Sequence, residues 1–233
     1  VYIDGKPVNA VYAWEFTGLD PKTGFATFKG CSSNEDEVEK SDDPATYLKY
    51  VGPADPRFNG GLSSSLRWKN LTLSAQFAFG FGNYKRLNFI FEGDNKMPSP
   101  QTNMTKEMLG RWKQEGDQSM IPGLNFSDSN DYMICTPDRS ASWKNTYTMY
   151  NYSDARIVKG DFFRCRNLML SYAVPYQFLR HMGVTAVSLG FNVTNPFTLC
   201  SSRFNGQDPE VSNTGSVALP ITQAYSLSLN VSF

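Results

Sequence analysis

The stretch Gln223-Ala224-Tyr225-Ser226-Leu227-Ser228-Leu229-Asn230-Val231-Ser232-Phe233 alternates without a break. Tyr225, Leu227, Leu229, Val231 and Phe233 take one side, and Ala224, Ser226, Ser228, Asn230 and Ser232 take the other. Neighbouring side chains of an extended strand point to opposite faces of its sheet, so this segment has one apolar face and one small polar face. About ten residues at a steep tilt cross a hydrocarbon core. The segment reads as one transmembrane β-strand, and a closing Phe is the kind of signal that outer-membrane barrels present to their assembly machinery.

The same pattern recurs upstream. Leu71, Leu73, Ala75, Phe77, Phe79 and Phe81 alternate with Thr72, Ser74, Gln76, Ala78 and Gly80. Val187, Leu189, Phe191 and Val193 alternate with Ala186, Ser188, Gly190, Asn192 and Thr194; Leu168, Leu170, Tyr172 and Val174 alternate with Asn167, Met169, Ser171 and Ala173. Near the start, Val8, Ala10, Tyr12, Trp14 and Phe16 face away from Asn9, Val11, Ala13, Glu15 and Thr17. With Leu62–Trp68 this makes six expected strands.

The second face decides between two all-β classes. A soluble sandwich covers its outer face with long charged residues, which water and the avoidance of edge pairing both favour. Here that face carries Ser, Thr, Asn, Gly and Ala, which suits the polar interior of a barrel. Arg67 keeps to it, sharing parity with Ser63 and Ser65; an Arg on the lipid side at mid-depth would cost about 2–4 kcal/mol. Arg164 and Arg166 share parity with Leu168 instead, so the expectation is that they stand above the bilayer, at the outer rim of a strand that projects past the lipid.

Composition narrows the functional classes. The 233 residues carry 22 Lys and Arg against 22 Asp and Glu, so neither a basic nor an acidic field points to a charged partner such as nucleic acid. No run of eighteen apolar residues exists, which excludes a transmembrane helix but leaves a barrel open, since only every second residue of its strands need be apolar. Cys31, Cys135, Cys165 and Cys200 lack zinc-binding spacing; pairing among them is open, free thiols included. With His181 the only histidine, a serine-type triad or a His-based metal site has almost no material. No enzyme activity, cofactor or metal is expected. No secretory signal opens the chain, and Val1-Tyr2-Ile3 before Asp4-Gly5 looks like the tail of a strand. Six strands leave two open edges, costly in lipid, so the chain is expected to be one segment, 1–233, of a larger closed sheet.

Connections orient the sheet. Lys69-Asn70 joins two strands as a tight hairpin, and Pro175–Val184 joins two more with room for one helical turn at Tyr176–Arg180. Gly18–Gly61, Gly82–Gly160 and Asn195–Thr222 are long. Short turns on one side and long loops on the other are the bacterial barrel arrangement. The second long loop is expected to hold a helix, Asn103–Gln114, begun by Thr102 or Asn103, and a short strand, Leu87–Phe91. Ser32–Asp43 is acidic and polar.

Six ordered motifs then carry a family resemblance: Gly18-Leu19-Asp20-Pro21-Lys22-Thr23-Gly24; Gly52-Pro53-Ala54-Asp55-Pro56-Arg57-Phe58-Asn59-Gly60-Gly61-Leu62; Arg111-Trp112-Lys113-Gln114-Glu115-Gly116-Asp117 with Ile121-Pro122; Lys159-Gly160-Asp161-Phe162-Phe163-Arg164 leading into Asn167-Leu168-Met169-Leu170-Ser171-Tyr172; Asn192-Val193-Thr194-Asn195-Pro196-Phe197; and Gly206-Gln207-Asp208-Pro209-Glu210-Val211. The chain resembles the C-terminal part of the SusC/RagA family of TonB-dependent outer-membrane receptors. The resemblance implies a transmembrane antiparallel β-barrel of 22 strands blocked by an N-terminal plug, energised by the TonB complex across the periplasm and capped by a SusD-like surface lipoprotein. It also implies the outer membrane of a Gram-negative cell of the Bacteroidota type, and oligosaccharides or oligopeptides as cargo.

Within the long loops, Trp143, Tyr147, Tyr150 and Tyr152 are the favoured ligand- or lid-contacting residues, against a plain packing role. Arg111 and Trp112 offer an aromatic face and a guanidinium for sugar hydroxyls, or scaffold at a helix end. Asp208-Pro209-Glu210 reads as a carboxylate pair or as a loop brace. The expected function is import of oligosaccharides, with oligopeptide import, a passive porin and a secreted carbohydrate-binding sandwich as alternatives.

Overall fold

The computed structural model describes residues 3–38, 43–91, 101, 103–124, 132–135, 143–180, 183–211 and 219–233; His181 and Thr102 lie outside them. Its strands are β1 (Ala10–Trp14), β2 (Phe16–Leu19), β3 (Ala26–Phe28), β4 (Leu48–Pro53), β5 (Phe58–Trp68), β6 (Leu71–Phe81), β7 (Tyr84–Arg86), β8 (Tyr132–Met133), β9 (Lys144–Asn145), β10 (Ile157–Lys159), β11 (Phe162–Ala173), β12 (Ala186–Cys200) and β13 (Ala224–Ser232). Two short helices, α1 (Thr146–Asn151) and α2 (Tyr176–Leu179), accompany them. Among the described residues, no helix is long and apolar enough to cross a membrane.

Five strands form one antiparallel sheet in the order β13-β12-β11-β6-β5. At 9 to 15 residues each, they match the length a tilted strand needs to cross a hydrocarbon core. Register makes the two faces continuous across the sheet. Leu66, Leu73, Leu170, Phe191 and Leu227 line up in one row; Ser65, Ser74, Met169, Asn192 and Ser226 line up in the next. The apolar row is open to the surroundings: Leu66 is 68% exposed and Leu227 79%. In water, a continuous apolar face of this extent marks an interaction surface or a membrane one. The tight turn at Lys69-Asn70 puts Lys69 at φ 52°.

Parity is broken once, and this corrects the placement of Arg164. The register slips between Cys165 and Asn167 against both neighbours of β11, leaving Arg166 as an extra residue. Opposite it, β12 spends two residues, Asn195 at φ 53° and Pro196, a β-bulge that accommodates a proline no regular ladder position tolerates. A one-residue slip flips every side chain beyond it. Arg164 therefore pairs with Ala78 and Thr198, on the small polar face, while Phe163 and Cys165 take the apolar one.

Asp55–Asn83, Lys159–Val211 and the described residues from 219 onward form one compact unit that contains this sheet. The other unit is built from the described residues up to Ala54 and from Tyr84 to Val158. Most of the first two segments expected as long loops thus share a core of their own, with Phe25, Phe28, Phe91, Met108, Tyr147, Met149 and Tyr150 at its centre. A disulfide between Cys31 and Cys135 fastens it, beside the bridge of Ser32 to Ile134.

Three expectations fail in this unit for identifiable reasons. Val8–Thr17 is not a strand of the wall: its alternation is split into β1, which pairs with β4 across an irregularity at Val11/Tyr12, and β2, which pairs with β3. Ala13, expected on the polar side, is buried. Leu87–Phe91 is not a strand, because side chains occupy its backbone groups. Asn151 accepts from the N–H of Ile90 and donates to the carbonyl of Phe91, and Arg156 donates to the carbonyl of Asn88; the strand falls earlier, at β7. The helix expected over Asn103–Gln114 shrinks to a 3₁₀ turn at Lys106–Gly110. The Asp117 carboxylate captures the N–H groups of Lys113 and Gln114, the local competition that disfavours helix wherever Asp can reach backbone.

Candidate functional site

Two groups of residues can carry function, one in each unit. On the polar face of the sheet, the bulge at Arg166 aims Arg164 inward, where it is almost wholly buried. Its Nη2 donates to Asp208 Oδ1 at 2.5 Å and its Nε lies 2.5 Å from Glu210 Oε2. The second contact is an ion pair whose angle is poor for a hydrogen bond. Arg166, standing out at the bulge, reaches Glu210 Oε1 with its own Nη2. Asp208 also accepts from the backbone N–H groups of Glu210 and Ile221. Burial by itself would raise the Asp208 carboxyl; Arg164 and these two N–H groups outweigh it and hold the group below its ordinary value. The carboxylates are thus consumed by guanidinium and backbone partners, an arrangement that fastens the segment after β12 onto the sheet.

In the other unit the candidate aromatics separate. Asn145 caps α1 through its side chain, which accepts from the N–H of Tyr147. One face of that helix then carries Tyr147 and Tyr150 into the core, where their hydroxyls donate to the carbonyls of Gly123 and Met120. These two rings are structural. Tyr152, just past the helix, stays 41% exposed. It meets Trp14 edge-on and Phe89 at a tilt, with the Arg86 guanidinium 5.0 Å from its ring centre, a cation–π geometry. Trp143 is exposed as well. Trp112 is wedged where a Cβ on Gly24 would come within 2.2 Å of its ring, and one on Gly123 within 2.6 Å. Arg111 donates to the carbonyl of Met108. Arg111 and Trp112 therefore hold the local chain path, and Tyr152 and Trp143 are the exposed members of the group.

The fold has counterparts among solved structures. Over its whole length the chain superposes on 24% of a chain in the RagAB peptide importer in its open-open state, with a TM-score of 0.65 and 21% identity. A further structure of the RagAB peptide transporter matches 96% of this chain and 22% of that one, with a TM-score of 0.66 and 21% identity. The sheet shares its fold with a segment of that importer chain. In sequence, a TonB-dependent receptor P3 of Formosa agariphila is 23% identical over 216 residues, 89% of this chain and 19% of that receptor. No family model matches the chain. The chain thus spans about a fifth of the length of the curated relative it matches. These relatives are named as receptors and importers, not as enzymes.

Sequence reasoning found the strands of the sheet and offered Asp208-Pro209-Glu210 as a loop brace, but it missed the Arg164 and Arg166 partners of that brace. The available signal was the parity of Arg164: a charge on the wrong face of an otherwise obedient strand marks either a rim or a bulge. The Cys31–Cys135 pairing had no sequence signal, since 104 residues separate the two.

Proposed function

We propose that this chain supplies part of the barrel wall and the loop unit of a TonB-dependent outer-membrane importer, in a Gram-negative cell of the Bacteroidota type. The observation that carries this reading is the two-faced sheet: a continuous apolar row beside a small polar one, in strands of membrane-crossing length. The apolar face meets lipid, and the polar face meets a plug from the remaining receptor. A SusD-like surface lipoprotein caps the loops, and the TonB complex drives release through the plug.

Oligosaccharide is the proposed cargo. The exposed Tyr152 ring, backed by Trp14, Phe89 and Arg86, supports it, because an aromatic face packs against pyranose C–H groups. Oligopeptide is the second reading, favoured by likeness to structures described as a peptide importer. Cells carrying the full-length receptor and its lipoprotein, grown with a defined oligosaccharide or a peptide digest as sole nutrient, distinguish the two. Growth should depend on the receptor and on TonB; uptake that persists without TonB would overturn the importer in favour of a passive pore. Replacing Tyr152 by Ala should weaken oligosaccharide binding several-fold and leave barrel assembly intact.

A further inference from the structure

At the long-loop end of the sheet the apolar face stops on Phe81, Phe163 and Leu199. These side chains form one wall of a cavity of about 530 Å³, whose lining also includes Lys159 and Arg203. Both cations are exposed. Asp161 lines the cavity too, but its Oδ1 is engaged by the N–H of Gly82 at 2.6 Å. The cavity thus joins an apolar floor, continuous with the membrane-length face, to two cations at the level where the alternation ends.

That combination fits an amphiphile with a negative head. Acyl chains continue along Phe and Leu surface, while phosphate oxygens meet an ammonium and a guanidinium, the second of which can grip them with two parallel N–H groups. We propose that this cavity seats the phosphate-bearing headgroup of a lipid of the outer leaflet. The inference rests on the reading of the apolar face as lipid-facing.

The test uses the full-length receptor in lipid nanodiscs, stripped of native lipid and offered a phosphorylated outer-leaflet glycolipid, with bound lipid counted by native mass spectrometry. Juxtamembrane cations contribute about fivefold each to anionic lipid binding, so the double variant Lys159→Gln/Arg203→Gln should bind about 25-fold more weakly. The dephosphorylated glycolipid should bind the unaltered receptor as weakly as that variant binds the phosphorylated one. Leu199→Ser, which keeps both cations, should weaken binding as well. Equal binding of phosphorylated and dephosphorylated lipid overturns the proposal without any variant, and so does complete displacement by millimolar inorganic phosphate, which would mean a free-anion site. A nitroxide at Leu229 separates the two readings: contact with acyl chains alongside unchanged glycolipid binding rejects this cavity alone, whereas exclusion from lipid rejects the membrane reading beneath it.

Discussion

Replacing Arg164 by Met keeps most of the side chain's length and removes its charge from the most buried point of the brace. Arg164, Asp208 and Glu210 side chains are 1%, 6% and 18% exposed, so solvent screens them little. Glu210 keeps Arg166 as a partner, while Asp208 is left with two backbone N–H groups and no counter-charge. Breaking a buried ion pair from one side costs about 3–5 kcal/mol. With Glu210 still paired, the lower end applies, and about 3 kcal/mol corresponds to roughly 100-fold more frequent local opening. Hydrogen exchange reads this directly in the full-length receptor, because the amides of Glu210 and Ile221 are the groups that Asp208 holds. Their protection should fall by about two orders of magnitude, and adding Asp208→Asn, which removes the stranded charge and keeps one oxygen acceptor, should restore part of it. A loss of protection under about threefold in Arg164→Met would refute the assignment of the brace to this pair.

Other consequences follow from the same geometry. Asp208 has a lowered pKa in the folded protein, so the unfolded segment takes up a proton first as pH falls; the stabilisation is full above about pH 4 and fades as pH drops through the native value. Intrinsically corrected exchange at Ile221 should accelerate only in that acid range, and Asp208→Asn should abolish the dependence. Cys31→Ser opens a 104-residue covalent loop, for which chain entropy gives a loss of about 4.7 kcal/mol; the urea midpoint of the loop unit, followed by tryptophan fluorescence, should drop while the sheet's transition stays. Gly24→Ala places a methyl within 2.2 Å of the Trp112 ring at φ +71°, and should expel the indole, with a red-shifted emission and a stability loss of about 2–4 kcal/mol. A variant that keeps the native Trp112 environment would show that the ring is not wedged there.

What the sequence revealed was the part of the fold governed by solvent alternation. In β6, β12 and β13 each residue type answers directly to the medium it meets, so period two sufficed. The same rule failed at Val8–Thr17, because alternation reports two unlike faces and not which sheet receives them. It failed again at Arg164, since one additional residue in β11 reverses parity, and the compositional sign of it, Pro196, lies on the neighbouring strand. In the candidate site, Tyr147, Tyr150 and Tyr152 look alike in sequence until α1 is known; the first two then fall three apart on its buried face, and the third lies past its end and stays outside. The brace was half visible, as Asp208 and Glu210 stood out while their partners lay 44 residues away.

The Cys31–Cys135 cross-link has an implication for biogenesis. The β5–β6 hairpin lies between those two residues in sequence, so an oxidised chain is a lasso with two wall strands on its noose. If oxidation precedes insertion, the assembly machinery must stitch a closed circle into the growing wall, and if it follows, the thiols must find each other after both strands have already been threaded. The order of these events fixes whether a reductant delays maturation or leaves it untouched.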